Sequence, residues 1–250
     1  MTQLTWLVTE CSSGFGGDRA IATARGHVER LASLKDAGAA VLSLDKAIAI
    51  YGGIDVVVNS AEYIEAGIAE EVTQERSIAQ FNTNLFGSIN ITRALLPHFR
   101  EKKSGVIVYL SSLGGIAGEV GGAAYCASKF ALEGVSESMK LETEAFGIRS
   151  HLFQLGHCRT KILNNNNNFK AVPRAVNAYK DLNDMIYGFL GQADSNPLDD
   201  PEKAVNIMID VVRQEGVAEG KTQPLRLPIG KNALATLKNK YINYFELCDE

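Results

Sequence analysis

The chain has 250 residues, 46% hydrophobic and 22% charged, with 23 glycines: enough for one sizeable core, and a globular composition rather than a disordered, collagenous or disulfide-built one. A formal net charge of -4 without long like-sign runs leaves no footprint for a polyanion, so nucleic acid is not an expected partner. The four cysteines, Cys11, Cys126, Cys158 and Cys248, lie far apart without metal or disulfide spacing, no basic leader precedes the first apolar run and no run is long enough to cross a membrane; a cytoplasmic setting is expected.

Apolar or β-branched runs occur at residues 4 to 9 (LTWLVT), 20 to 24, 40 to 44 (AVLSL), 54 to 58 (IDVVV), 106 to 111 (VIVYLS), 148 to 155 and 224 to 228. Helical patterns fall between and after them, at 27 to 37, 73 to 101, 123 to 146, 174 to 190, 200 to 215 and 231 to 247. Short apolar runs alternating with helices are what strands buried on both faces of a parallel sheet look like. The expected fold is a single α/β domain over residues 1–250, a doubly wound, mostly parallel, Rossmann-like sheet. Two connections are short: Gly16 leads through Gly17 and Asp18 almost directly into the second strand, and little chain separates Leu44 from Ile54. A crossover between parallel neighbours usually takes a dozen or more residues. The first and third crossover helices are therefore expected to be shortened or missing.

The segment 106–129 reads VIVYLSSLGGIAGEVGGAAYCASK, which puts Ser112 at the end of a strand and Tyr125 and Lys129 one helical turn apart. A free phenol ionises near pH 10, too high for ready proton shuttling near neutrality, and an ammonium beside it is expected to lower that value. A Tyr-x-x-x-Lys pair alone is weak, since such pairs are usually solvated helix faces; its spacing to a strand-end serine strengthens it.

With Asn84 in FNTNLFG, this constellation resembles the short-chain dehydrogenase/reductase family over nearly the whole chain. The resemblance implies Tyr125 as acid/base, Lys129 as a second holder of the nicotinamide ribose, Ser112 as the group orienting a substrate carbonyl, and Asn84 as the holder of a water in the proton relay. The resemblance also marks residues for the dinucleotide. Thr9-Glu10-Cys11-Ser12-Ser13-Gly14-Phe15-Gly16 is similar to the family's glycine-rich loop, with Glu10 adding a negative charge near the expected pyrophosphate. Asn59-Ser60-Ala61-Glu62 resembles the family's Asn-Asn-Ala-Gly segment beside the adenosine, changed at two positions. Asp45 matches an adenine-contacting acid or caps the next segment, and Thr160 in QLGHCRTKIL matches a threonine that meets the nicotinamide carboxamide. Arg25, after the second strand, either pairs with the extra phosphate of NADP or lies on a solvated loop. NADP(H) is expected rather than NAD(H).

Residues 1–62 thus form a degenerate nucleotide-binding part and 84–160 a catalytic part. Residues 162–198 form a lid or a plain surface loop, with the asparagine run 164–168 and the aromatics Phe169, Tyr179, Tyr187 and Phe189. The implied activity is hydride transfer between NADP(H) and a ketone or secondary alcohol on a small, moderately apolar molecule, with similarity to fungal-type reductases of secondary metabolism. A dimer or tetramer is implied by the family. The rival reading is a non-redox scaffold or binding protein, since a missing first helix would take with it the positive terminus on which a pyrophosphate rests. A genuinely rearranged first unit and a gene read short also stay open.

Overall fold

The computed structural model describes residues 3–9, 19–23, 40–41, 47, 49–156, 169–195 and 199–248. Its strands are β1 (Thr5–Thr9), β2 (Arg19–Thr23), β3 (Ala40–Val41), β4 (Val56–Asn59), β5 (Ile64–Ala66), β6 (Gly105–Ser112), β7 (Ile148–Leu155), β8 (Phe169–Ala171) and β9 (Arg226–Ile229). Its α-helices are α1 (Gln74–Phe81), α2 (Ser88–Lys102), α3 (Leu113–Ile116), α4 (Ala123–Thr143), α5 (Lys180–Ser195), α6 (Pro201–Arg213) and α7 (Lys231–Cys248).

Seven strands pair in the order β3-β2-β1-β4-β6-β7-β9, all parallel. Alternate side chains of a strand point to opposite faces, so continuous apolar runs give the sheet two greasy sides. On one, Leu7, Val57, Ile107, Tyr109 and Leu152 pack with Leu95 and Phe99 of α2 and Leu132 of α4. On the other, Trp6, Val8, Val56, Val58, Val108 and Phe153 pack with Ala204, Val211 and Val212 of α6. Each fully buried aliphatic side chain contributes on the order of 1.5–3 kcal/mol, so this double layer holds the strands in register. The order reverses at β1, which has β2 on one side and β4 on the other; the crevice beyond the carboxyl ends of such neighbours is where open α/β sheets take ligands.

The doubly wound architecture agrees with expectation. The predicted strands at 4 to 9, 20 to 24, 54 to 58, 106 to 111, 148 to 155 and 224 to 228 coincide with β1, β2, β4, β6, β7 and β9 to within about two residues at either end. Of the strand predicted over 40 to 44, only β3 is described, and the first crossover and the helix predicted at 27 to 37 lie outside the described residues. Between β3 and β4 the described residues include Ala47, which is α-helical, and one 3-10 turn, Ile50–Gly52; the expectation of a shortened or missing third crossover helix falls largely outside the described residues.

Two corrections follow. The helix predicted over 73 to 101 is not continuous: a π-helical stretch, Asn82–Gly87, separates α1 from α2. A wider turn of this kind shifts the faces of the flanking helices and often marks a functional position. The second sheet, β5 paired in parallel with β8, had no sequence signal, because three residues (IEA and FKA) are too short to display a period.

Candidate active site

The site begins where β6 ends. Ser112 caps α3, its Oγ accepting the Gly114 N–H at 3.1 Å. Helix α4, rich in Ala, Leu, Lys and Glu in its first three turns, then places Tyr125 and Lys129 on one face. Both are buried, at 6% and 2% exposure. The Lys129 Nζ lies 5.6 Å from the centre of the Tyr125 ring and donates to the Leu110 carbonyl at 2.7 Å, which ties α4 to the end of β6.

A third charged group completes the arrangement. Glu62 forms an ion pair with Lys129, and the Tyr125 hydroxyl donates to the same carboxylate oxygen, Oε2, at 3.3 Å. Two remote side chains aim the short connection after β4 that carries Glu62. Thr9 Oγ1, at the end of β1, accepts the N–H groups of Ser60 and Ala61 at 2.9 and 3.0 Å. Asn84, in the π-helical stretch, takes the Tyr63 N–H on Oδ1 and donates from Nδ2 to the Tyr63 carbonyl, both at 3.1 Å; Nδ2 also reaches Ser128 Oγ at 3.2 Å.

This geometry corrects the expectation that Lys129 makes the phenol more acidic. Burial pushes the Tyr125 pKa well above its ordinary value, and the Glu62 charge pushes it further. The hydrogen bond from Ser112 pulls the other way, while the hydrogen bond to Glu62 and the charge of Glu119 raise it again. Lys129 already answers a carboxylate, so little of its field is left for the phenol. Sequence reasoning missed Glu62 as a site residue; its signal was the acid closing Asn59-Ser60-Ala61-Glu62, where the family pattern has glycine.

Ser112, Tyr125, Lys129 and Asn84 are therefore brought into one neighbourhood, with Asn84 engaged on the backbone of Tyr63. Of the residues expected to hold a dinucleotide, Thr9, Asn59 and Ala61 line the connection from β1 and β4 into the crevice. Asn59 is buried and donates to Thr92 Oγ1 at 3.1 Å and to the Val108 carbonyl at 3.4 Å. Its Oδ1 is buried with no hydrogen-bond partner among the described residues. Ser12, Ser13, Gly14, Phe15, Gly16, Arg25, Asp45 and Thr160, with Glu10, lie outside the described residues. The described residues fit a nicotinamide dinucleotide: the switch-point crevice lies beside β1 and β4, and the Tyr125 hydroxyl and Lys129 ammonium are donors one strand away. Glu62, paired with Lys129, carries a charge of the wrong sign for the dinucleotide.

Behind the site, α4 carries a buried carboxylate, Glu133. Glu133 accepts from Ser111 at 2.8 Å, from Gln154 at 2.9 and 3.0 Å and from Arg226 Nε at 3.0 Å, joining α4 to β6, β7 and β9. Gly115 makes room for it, since a β-carbon there would meet Ser111 Oγ at 2.3 Å and Glu133 Oε1 at 2.5 Å. The described part of segment 162–198 is anchored to the end of β5 and the connection that follows it. Tyr187 donates to the Ala66 and Val172 carbonyls at 3.0 and 3.2 Å, and Glu71 accepts the N–H groups of Ala175 and Val176 at 2.8 and 2.9 Å. No described helix is long and apolar enough to cross a membrane.

Comparison with known proteins agrees with this geometry. The family model described as short chain dehydrogenase matches residues 21–171, more than half of the chain. The uncharacterized oxidoreductase YusZ of Bacillus subtilis is 30% identical, with 92% of this chain and 90% of that protein covered. Oxidoreductase BOA17 of Botryotinia fuckeliana is 29% identical over 94% of this chain and 91% of its own length. A crystal structure of a short-chain dehydrogenase from Streptomyces avermitilis superposes with a TM-score of 0.83 at 31% identity, covering 99% of this chain and 96% of that one. Strand order, the serine at the end of β6 and the tyrosine and lysine of α4 thus have one explanation: the chain belongs to the short-chain dehydrogenase family.

Proposed function

We propose that this protein is an oxidoreductase that interconverts a ketone and a secondary alcohol on a small, moderately apolar molecule, using NADP(H) in preference to NAD(H). The observation that carries this reading is the meeting of Ser112, Tyr125 and Lys129 at the carboxyl end of β6, beside the crevice between β1 and β4. When bound, the dinucleotide supplies or accepts the hydride.

The chain's own residues do the rest. Thr9, Asn59 and Ala61 flank the adenosine side, with Ser12, Ser13, Gly14, Phe15 and Gly16 toward the phosphates. Asp45 serves the adenine, Arg25 the extra phosphate of NADP and Thr160 the carboxamide. Lys129 and Tyr125 face the nicotinamide ribose. Ser112 holds the carbonyl oxygen of the substrate, and Tyr125 gives it a proton during reduction and recovers one during oxidation. Lys129 and Asn84 support the proton path that recharges the phenol. Residues 162–198 wall the substrate side, Ile186 packing against Gly121 just ahead of α4. Two copies pair through α2 and α4; exposed Phe86, Phe130, Leu141 and Phe146 on and beside these helices support this arrangement.

A second reading, a non-redox binding protein of the same fold, is favoured by the Glu62 carboxylate standing on both Lys129 and Tyr125. Calorimetric titration with NADPH and NADH, combined with Tyr125→Phe, separates the two. The oxidoreductase reading expects saturable binding, tighter for NADPH, and a folded Tyr125→Phe protein without turnover. Carbonyl reduction retained by Tyr125→Phe, or absence of binding at millimolar cofactor, defeats it.

A further inference from the structure

Lys129 is the charged group in the site with the fewest ways out. Its ammonium is almost wholly buried, and its described polar partners are the Leu110 carbonyl and the Glu62 carboxylate. A buried cation without a counter-ion is costly, so in the free protein the pair holds together. Its two ends are unequal. The Glu62 side chain is 21% exposed against 2% for Lys129, and it stands on the short connection between β4 and β5, while Lys129 is held in the second turn of α4. Any ligand hydroxyl that is to reach both Tyr125 and Lys129 meets the Glu62 Oε2 atom first, because that one oxygen contacts both.

We infer that Glu62 is an internal competitor of the cofactor: its carboxylate occupies the positions on Lys129 and Tyr125 that the nicotinamide ribose hydroxyls need, and it must swing outward before a dinucleotide can seat. This rests on the oxidoreductase reading and deepens it. Glu62 then acts as a specificity and affinity determinant rather than a catalytic residue. The free protein is held closed by an ion pair, and the apparent affinity for dinucleotide is reduced by the fraction of molecules in which that pair is intact.

The test is calorimetric titration of NADPH into the full-length wild type, Glu62→Gln, Glu62→Gly and Glu62→Asp, with a thermal melt of each protein alone and with cofactor. Glu62→Gln and Glu62→Gly are expected to bind roughly tenfold more tightly, to melt lower than wild type when free, and to recover the difference on binding. Glu62→Asp keeps the charge and is expected to stay near wild type. Far-UV circular dichroism establishes that each variant is folded, and two charge-removing variants keep the comparison available if one of them is not. Equal affinity in all four proteins overturns the competitor role and leaves the oxidoreductase reading standing. Weaker binding by both charge-removing variants also overturns it, marking Glu62 as a ligand of the cofactor. No binding by any of the four overturns both.

Discussion

Gly114 lies against the ring of Tyr125: a β-carbon built on it would come 3.0 Å from Cε1 and 3.1 Å from Cδ1, with Cys126 Sγ at 3.2 Å. The same residue gives its N–H to Ser112, so one small position sets the distance between the Ser112 hydroxyl and the Tyr125 phenol. Gly114→Ala is expected to shift the ring by a few tenths of an ångström and lower kcat about tenfold, misplacements near 1 Å costing roughly a hundredfold. The melting temperature should hardly move. Unchanged kcat in a folded Gly114→Ala protein would show that the ring tolerates the shift.

The protonation state of Tyr125 predicts opposite pH behaviour for the two directions of reaction. A phenol held well above its ordinary pKa, by burial before any other cause, keeps its proton below that raised value. Reduction, which needs the proton, should be flat from about pH 6 to 9, whereas oxidation, which needs the phenolate, should rise up to about tenfold per unit through the same range. Initial rates in both directions across this range decide the matter; an oxidative plateau near neutrality contradicts the raised phenol.

The network around Glu133 predicts a stability loss without a loss of chemistry. Arg226 donates to Glu133 through Nε and to Glu137 Oε1 through a terminal nitrogen, each at 3.0 Å. Arg226→Ala would leave Glu133 buried with only the neutral donors Ser111 and Gln154. The expected cost is about 2–3 kcal/mol, at the lower edge of buried-pair removals because Arg226 is itself partly exposed. Lysine should rescue it poorly, having no fork to reach both acids. Urea denaturation of Arg226→Ala and Arg226→Lys measures both effects, and two variants as stable as wild type would refute the account.

His151 predicts acid lability. Burial first, and Arg149 second, lower its pKa to about 4 against an ordinary value of 6.5. Its Nδ1 sits 3.2 Å from the Pro224 carbonyl, and Nε2 is buried with no hydrogen-bond partner among the described residues, so the folded protein holds the ring neutral. Between those two pKa values the unfolded chain binds a proton that the folded one refuses, and stability falls as pH drops through the window. The slope is about 1.4 kcal/mol per unit and the total about 3 kcal/mol. His151→Asn, which can still donate to Pro224, should flatten that part of the stability curve; equal slopes for the two proteins between pH 6.5 and 4 would exclude His151 as the cause.

What the sequence by itself determined is what depends on neighbours along the chain. Runs such as VIVYLS and IDVVV have no polar side to offer solvent except at their ends, so they must be strands covered on both faces, as β6 and β4 are. Tyr125 and Lys129 share a face because a helix returns every 3.6 residues, which any amphipathic reading of α4 contains. The tertiary structure decided what depends on meetings between distant segments. Glu62 reaches Lys129 only because Thr9 and Asn84, from two other elements, aim its connection there. The Tyr125 proton is held more tightly, not less, because the depth of burial and the nearest charge are properties of the assembled interior. Glu133 looks like one more acid on a helix until β6, β7 and β9 bring it Ser111, Gln154 and Arg226. Backbone periodicity is local and survives in the order of residues; electrostatics and side-chain pairing act through space, and come into being only when the chain has folded.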